Sequence, residues 1–521
     1  MEDLATIFDF HLESQEDASD EEEEDFCEGG DGFEDEDGEI CWREKKPKKR
    51  RIDLRPGDDS AMYYRVNSSK GEVYDLLTLI LDKEGWIELP SDLGLKTSWN
   101  LLWTWGRPRI DYSKLLSFQK VNHFKGAFEL SRKDHLKRNI VNWMKTHKNC
   151  LRLELIQGGD PQEENDEKGK EKWSKMKVIP ETYVLPHEYR DLMRGYVRAG
   201  RCLSKEDNLW IMKPVGLSRG RGIKVVSEID EMIYSEAMVV QQYLTNPFLV
   251  NGYKFDMRIY VLVTSFQPTL EAFVYKEGFS RFATHRFTLS STSIQDQMVH
   301  LTNTSIQHST ATNHLPRDHP VRSTDDHLEA DGAKLSLRET WRQLSEMGVD
   351  VDLIWERMKK VILISLLSVD KLIGYQPQSF ELFGYDLIID SNLEVLLIEV
   401  NSSPSMGILN DLDKRIKQQL ISDTIKLVNP PKFSRKELVQ VLERRLREGG
   451  VRIKSTSVGF SKESSKRNKK KKRGSDLEMD LENIFLNGQA GRIVGETPPH
   501  LGNYEILAPF TTLYSEIRSL M

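Results

Sequence analysis

Residues 380–405 read FELFGYDLIIDSNLEVLLIEVNSSPS. Two stretches rich in apolar and aromatic residues, 380–389 and 393–400, flank Asp390, Ser391, Asn392 and Leu393. That spacing predicts two strands joined by a tight turn. Three polar residues interrupt them: Asp386, Glu399 and Asn401. Glu399 and Asn401 lie two apart on one strand, so their side chains share a face. A hairpin symmetric about residues 392–393 sets Asp386 directly across from Glu399, with Cβ atoms about 4.5–5.5 Å apart. Two carboxylates and an amide on an apolar hairpin are costly to bury unpaired. Hard oxygen ligands at this spacing suit Mg²⁺, which takes one or two carboxylates plus substrate phosphates. A hairpin edge with two solvated acids is the competing reading, and the rest of the chain has to decide.

The 521 residues allow two or three domains, and 38% hydrophobic with 30% charged residues leaves room for a large core beside long polar segments. No run of 18 apolar residues occurs, so no membrane span is expected. The acidic start MEDLATIFDF has no basic or apolar leader region, so no signal peptide is expected. Cys27, Cys41, Cys150 and Cys202 are scattered without a C-x-x-C pair, which argues for a reducing compartment and against a zinc or disulfide framework. Residues 1–40 hold nineteen acids and no Lys or Arg, so the net −8 conceals +11 on the remainder. About +5 of that falls on 60–460, a mildly basic body suited to an acidic partner.

Along the chain, 1–60 reads as a disordered tail, acidic and then basic (KKPKKRR at 45–51). Residues 61–200 read as an N-terminal and linker α/β region, with Trp86, Trp99, Trp103 and Trp105 near its core and Ser131 as a candidate helix N-cap. A polar insertion covers 157–176, and a helix is expected over 187–198. Residues 201–270 form the next unit. Strand 209–214 delivers Lys213 into a Gly-rich loop, 216–222, followed by strand 223–226. This is a β-loop-β arrangement and not a Walker A loop, which would open a helix. A strand is expected at 238–243. In KFDMRIYVLVT (254–264), Lys254, Asp256, Arg258 and Tyr260 alternate with Phe255, Met257, Ile259 and Val261. The polar row is either a solvated face or the wall of an anion-binding cleft. Residues 271–430 continue with a strand at 270–275, a turn at 277–282 presenting Arg281, and a surface loop at 306–332 carrying His308, His314, His319 and His327. Helices are expected at 337–347, 350–372 and 412–427. A basic amphipathic helix follows at 434–447, then a linker with KRNKKKKR at 466–473 and a tail whose GNYEIL (502–507) docks back.

WIMKP…SRGRG, QQYL, GYKFDMRIYVLV, EGFSRFAT, HLTN, FELFGYDLIID and LLIEVNSSPS occur in this order, and together they resemble the tubulin–tyrosine-ligase-like family over roughly residues 86–430. The subgroup most resembled is the polyglutamylases. The resemblance implies an α+β, ATP-grasp fold, two α+β units clasping ATP, with an N-terminal accessory domain and disordered tails. Lys213 and Lys254 would contact ATP phosphates, with Arg219 and Gly220 in the lid. Gln241, Gln242, Tyr243 and Leu244 would form the adenine hinge. Asp256 would lie on the ribose side, Phe255 would also contact ATP, and Thr302 and Asn303 would line the nucleotide site. Asp386, Glu399 and Asn401 would hold Mg²⁺. Arg258, Arg281, Lys334 and Lys417 would meet the carboxylates of the incoming amino acid. Thr304, Ser305 and Ser402 would lie beside it, although this chain has Thr304 where the family often has tyrosine.

The implied chemistry is ATP-dependent amide ligation through an acyl phosphate, with Lys213, Lys254 and Arg258 as the catalytic set, free L-glutamate as the donor and acidic tubulin tails as the acceptor. A cytoplasmic, cytoskeletal location, with a cilium, flagellum or basal body in view, goes with that substrate, and a need for accessory subunits stays open. A glycine-adding ligase, a non-catalytic microtubule-binding scaffold and a nucleic-acid binder working through the basic runs are the alternatives. No RNA- or DNA-binding signature accompanies those runs.

Overall fold

The computed structural model describes residues 32–34, 40–42, 53–157, 178–204, 207–216, 220–232, 237–290, 293–307, 314–323, 329–448, 481–486, 491–519 and 521. The expectations for the acidic block, both basic runs, the polar insertion, His308 and His327 lie wholly or mostly outside those residues. A short backbone pair, β1 (Gly32–Glu34) with β2 (Ile40–Trp42), precedes the main body.

The first sheet is parallel, in the order β4-β3-β5-β6. Its strands are β3 (Tyr63–Asn67), β4 (Ile87–Glu88), β5 (Leu101–Thr104) and β6 (Lys120–Val121). Helix α1 (Gly71–Lys83) crosses from β3 to β4. Its Val73, Leu76, Leu77, Ile80 and Leu81 recur at helical spacing, and the resulting stripe buries against Tyr64, Leu101 and Trp103. Residues 53–60, expected in the tail, belong to this body. Leu54 packs with Leu95 and Phe118, and Asp59 accepts from the Ser434 hydroxyl and the Lys436 amide. Two helices follow: α2 (Phe128–Ser131) and α3 (Lys133–Gln157). Ser131 therefore closes one helix and does not cap the next.

The second sheet is antiparallel, in the order β7-β10-β8-β9. It comprises β7 (Thr182–Leu185), β8 (Trp210–Pro214), β9 (Lys224–Val226) and β10 (Met238–Gln242), with α4 (Tyr189–Cys202) packed on one face. β8 and β9 pair directly, so the Gly-rich segment is the loop of a hairpin, as expected.

The third sheet is the largest, in the order β14-β15-β13-β12-β16-β17, with β11 on β12 and β18 on β13. The strands are β11 (Leu249–Val250), β12 (Tyr253–Ser265), β13 (Glu271–Phe282), β14 (Ala330–Asp331), β15 (Lys334–Ser336), β16 (Glu381–Ile389), β17 (Val395–Asn401) and β18 (Tyr504–Ala508). Helices α5 (Gln297–His300), α6 (Thr304–Gln307), α7 (Leu337–Glu346), α8 (Val351–Leu367), α9 (Asp411–Val428), α10 (Arg435–Glu448) and α11 (Thr512–Ser519) complete the described α-helices. Both faces of β12 are buried. Phe255, Met257, Ile259 and Val261 join the core of α7 and α8, and Tyr260 and Leu262 join that of α1 and α9. The polar row is thus not a solvated face. Among the described residues, no helix is long and apolar enough to cross a membrane.

Two local expectations change. Residues 277–282 are the end of β13 and not a turn. The chain bulges there, with Ile259 opposite Gly278 but Val261 opposite Val274. A Cβ on Gly278 would lie 2.3 Å from the Arg258 carbonyl oxygen, so glycine admits the close approach. His319 is not on a surface loop. It is buried, with Nε2 3.1 Å from the Ala283 carbonyl.

Candidate active site

The hairpin of β16 and β17 brings Asp386 opposite Glu399 and Gly384 opposite Asn401. The pairing beside the turn is one residue off the expected symmetry: Ile389 faces Val395, and the pairing up to Leu387–Leu397 is centred on Asn392. A bulge at Ile398 then restores the register, so Glu399 reaches Asp386 after all. The Asp390 carboxylate holds the turn by accepting from the Asn392 and Glu394 amides, and Leu393 takes φ +61°. The Asn401 amide lies 3.4 Å from Glu399 Oε1.

On its other side Asp386 faces Arg258 of β12. Arg258 Nε and Nη2 donate to the two carboxylate oxygens at 2.5 and 3.0 Å, and Arg281 Nη2 reaches Oδ2 at 3.0 Å. Arg281 also grips Asp256 with two bonds, at 2.7 and 2.5 Å. Burial pushes the Asp386 carboxyl up, but the two guanidinium charges outweigh it and hold the group well below the usual carboxylate range. Lys334 and Lys417 converge on Asp413, at 2.9 and 3.2 Å, and both lie near the Phe279 ring. Burial lowers the Lys417 ammonium, against the pull of Asp413. Four cations expected to serve one amino acid are therefore brought together, each already facing a buried acid.

Two further lysines are held differently. Lys213, on β8, donates to Gln241 Oε1 at 2.9 Å, and the Gln241 amide donates in turn to the Thr182 hydroxyl. Lys254, on β12, donates to the Tyr243 hydroxyl at 2.8 Å and the His300 carbonyl at 2.9 Å, over the face of the Tyr243 ring. His300 Nε2 lies 3.0 Å from the Ser293 carbonyl, so it donates there and leaves Nδ1 to accept from Tyr243. Burial lowers Lys213 to about 8, despite the attraction of Glu399. Burial lowers Lys254 to about 7, despite Asp256. Burial, with the Lys254 charge, takes His300 to about 4. Among the described residues, neither lysine has a carboxylate within ion-pair distance.

The other expected positions divide. Gly220 has φ +77°, and a Cβ there would lie 2.5 Å from Ile306 and 3.4 Å from the Asn303 side chain, so the loop end sits on the segment carrying Thr302 and Asn303. Gln242 and Leu244 are partly exposed beside buried Gln241 and Tyr243. Phe255 does not share this face. It is buried in the opposite core, stacked on Phe282 at 5.2 Å, as strand alternation requires. Asp256 is engaged by Arg281. Ser402 lines a narrow cleft with Trp103, Trp105 and Ser403. Thr304 and Ser305 open α6, and Arg219 lies outside the described residues. Thr182, His300, Asp413 and Lys133, whose Nζ lies 3.9 Å from Glu399, were not singled out from the sequence. His300 is the first residue of the quoted motif HLTN, Asp413 stands four residues before Lys417 on α9, and Lys133 and Thr182 enter through contacts between distant segments.

A family model described as the tubulin-tyrosine ligase family matches residues 111–437. Human "Probable tubulin polyglutamylase TTLL2" is 30% identical over 388 residues, covering 73% of this chain and 59% of that protein. Mouse "Tubulin polyglutamylase TTLL5" is 33% identical over 363 residues, 68% of this chain and 24% of that protein. "Probable alpha-tubulin polyglutamylase Ttll1" of Tetrahymena thermophila is 32% identical over 356 residues, 64% of this chain and 78% of that protein. The chain thus spans well under two thirds of TTLL2 and about a quarter of TTLL5.

Proposed function

Because the chain belongs to the tubulin-tyrosine ligase family, we propose that it is an ATP-dependent ligase of ATP-grasp architecture that joins free glutamate, through an isopeptide bond, to glutamate side chains in the acidic tails of tubulin. The observation that carries this reading is the pair Lys213 and Lys254. They are buried ammonium groups that donate, among the described residues, to neutral oxygens, with Lys213 in the field of Glu399 and Asp386 and Lys254 in that of Asp256. A buried cation without a counter-ion is unfavourable, and a polyphosphate would supply what both lack. No three acidic, His or Cys side chains cluster among the described residues. Two carboxylates and an amide nevertheless fit magnesium, which completes its octahedron with phosphate oxygens and water.

On this reading the second sheet and the eight-stranded sheet clasp ATP between β8 and β12. Gly220, at the end of the Gly-rich segment, would lie towards its phosphates, and Gln241–Leu244 would line its base. Asp386, Glu399 and Asn401 would hold magnesium, which neutralises charge on the transferring phosphoryl group when bound. The γ-phosphoryl group passes to the acceptor carboxylate. The amine of the amino acid then attacks the acyl carbon and expels phosphate. Arg258, Arg281, Lys334 and Lys417 orient the carboxylates of that amino acid, and Asp256 fixes Arg281. Polyglutamylation of tubulin is the activity named for the relatives above, and a cytoskeletal location follows from that substrate. Asp413 favours a second reading, because it already occupies both lysines suited to a side-chain carboxylate and so leaves glycine as an alternative donor.

The test is mass spectrometry of tubulin incubated with the protein, Mg·ATP and either glutamate or glycine. Glutamate additions that disappear with Glu399→Gln are expected. Glycine additions alone, or additions by neither amino acid, reject the primary reading.

A further inference from the structure

The site just described is built almost entirely from the second and third sheets, but one cation at its rim comes from elsewhere. Lys133 is the first residue of α3, and its Nζ lies 3.9 Å from Glu399 Oε2. The Asp386 side chain is 2% exposed, whereas Glu399 at 26% and Lys133 at 17% both reach solvent, so these two stand together at the opening. The start of α3 is fixed firmly. Glu129 of α2 accepts from His135, Arg138 and the Asn139 side chain, each at 3.0 Å, and Lys137 is paired with Glu188 beside the second sheet. Lys133 is therefore held where α2, β17 and the second sheet meet.

Resting on the ligase reading above, we propose that Lys133 is a catalytic residue that binds the acceptor side-chain carboxylate and presents it to the phosphoryl group. A nucleotide and a free amino acid are small enough to sit inside, but the acceptor is a side chain of another protein and must enter from solvent. Its carboxylate arrives next to Glu399 and a phosphate, all anionic, and needs a cation on the solvent side. Lys133 is a cation at that point. It lies near enough to Lys213 for the two charges to oppose one another. The alternative is that Lys133 only balances Glu399.

The experiment uses the full chain and the variants Lys133→Met and Lys133→Arg, with an acidic peptide of consecutive glutamates as acceptor. Lys133→Met is expected to raise the acceptor KM about ten- to a hundredfold, the loss of one charge-assisted hydrogen bond. Affinity for a magnesium–nucleotide analogue should stay within about twofold and Lys133→Arg should recover most of the KM, as a retained charge predicts. A parallel loss of nucleotide affinity would assign Lys133 to Glu399 and overturn the proposal, as would an unchanged KM. Direct binding of the same peptide to wild type and Lys133→Met, with the nucleotide analogue present, separates the two readings. If wild type binds the peptide in a Lys133-dependent way but never turns it over, the acceptor site stands and the ligase reading falls. If wild type does not bind the peptide, the acceptor site falls.

Discussion

Gly384→Ala would test whether the geometry around Asp386 is as tight as it looks. Gly384 lies within β16, paired with Tyr260 on one side and Asn401 on the other, so its backbone cannot retreat. A Cβ there would lie 2.9 Å from Pro404 Cβ, 3.1 Å from Arg258 Cδ and 3.3 Å from Arg258 Nε. Carbon atoms prefer about 3.5–4.0 Å, so a neighbour must move by half an ångström or more. Arg258 cannot swing freely, because its Nε is 2.5 Å from Asp386. Overpacking of this kind costs about 1–3 kcal/mol. Removing a strand glycine returns about 0.5–1 kcal/mol through the unfolded chain. The net expectation is a loss of roughly 1–2 kcal/mol, together with at least a tenfold fall in ligase activity as Arg258 and Asp386 shift. Urea denaturation followed by circular dichroism, with Gly374→Ala as control, measures the first term. A Cβ at Gly374 meets nothing within 4 Å, so the control should stay within about 0.5 kcal/mol. A Gly384→Ala protein as stable and as active as wild type would refute the packing argument.

Other consequences follow from the same contacts. Lys254 and Lys213 titrate near 7 and 8 when folded, against 10.5 for a free lysine. Between those values the unfolded chain holds protons that the folded chain has released, so their contribution makes stability rise with pH across about pH 7 to 10. A bound polyphosphate favours the charged lysines, so nucleotide binding near pH 8.5 should take up protons and weaken as pH rises; calorimetry in buffers of different ionisation heat reads this, and identical heats would count against it. Gln241→Leu removes the oxygen that holds Lys213 and should cost about 1–3 kcal/mol and lower nucleotide affinity, read by urea titration and equilibrium binding. Deleting 491–521 strips β18 from Ala272–Tyr275 and takes from Asp423 its bonds to His500 and the Asn503 amide. Burial of Tyr504, Leu507 and Ile517 alone is worth roughly 5–8 kcal/mol, so the truncated protein should sediment with the insoluble fraction on expression.

The period-2 pattern of residues 254–261 placed Lys254, Asp256, Arg258 and Tyr260 on one face, because strand alternation is a local property. The same rule puts Phe255 on the other face, where it is found. The pairing of Asp386 with Glu399 was legible for a partly compensating reason. The turn is centred half a residue earlier than symmetry suggested, which shifts the pairing by one, and the bulge at Ile398 cancels the difference. Glu277 and Gly278 read as a turn because glycine usually marks one. Here it marks a bulge, where the outer edge of β13 passes from pairing with β18 to pairing with β15. Lys133 and Thr182 were invisible because their contacts join segments 59 or more residues apart, and no local pattern encodes such a meeting; Asp413 stands four residues before Lys417 on one helix, a spacing the sequence does offer, but its meeting with Lys334 is long-range. His319 was hidden among polar neighbours: of residues 314–322 it is buried with Leu315, Pro320 and Val321, and the others are exposed.

The buried cations of the site fall into two classes, and the difference bears on which ligand goes where. Arg258, Arg281, Lys334 and Lys417 each face a buried carboxylate, so the protein already offers there the type of group it would later bind. An incoming amino acid must compete with Asp256, Asp386 or Asp413 for them. A magnesium ion sharing Asp386 would weaken that carboxylate's hold on Arg258 and Arg281. Amino-acid binding would then be coupled to metal and nucleotide binding through one side chain, without any movement of the sheets. Lys213 and Lys254 offer no such competition. Their partners are an amide, a phenol and a peptide carbonyl, which orient the ammonium groups but do not neutralise them. On the proposed reading, phosphate would add to these contacts without displacing an acid, and the nucleotide would meet a prepared site where the amino acid would meet an occupied one.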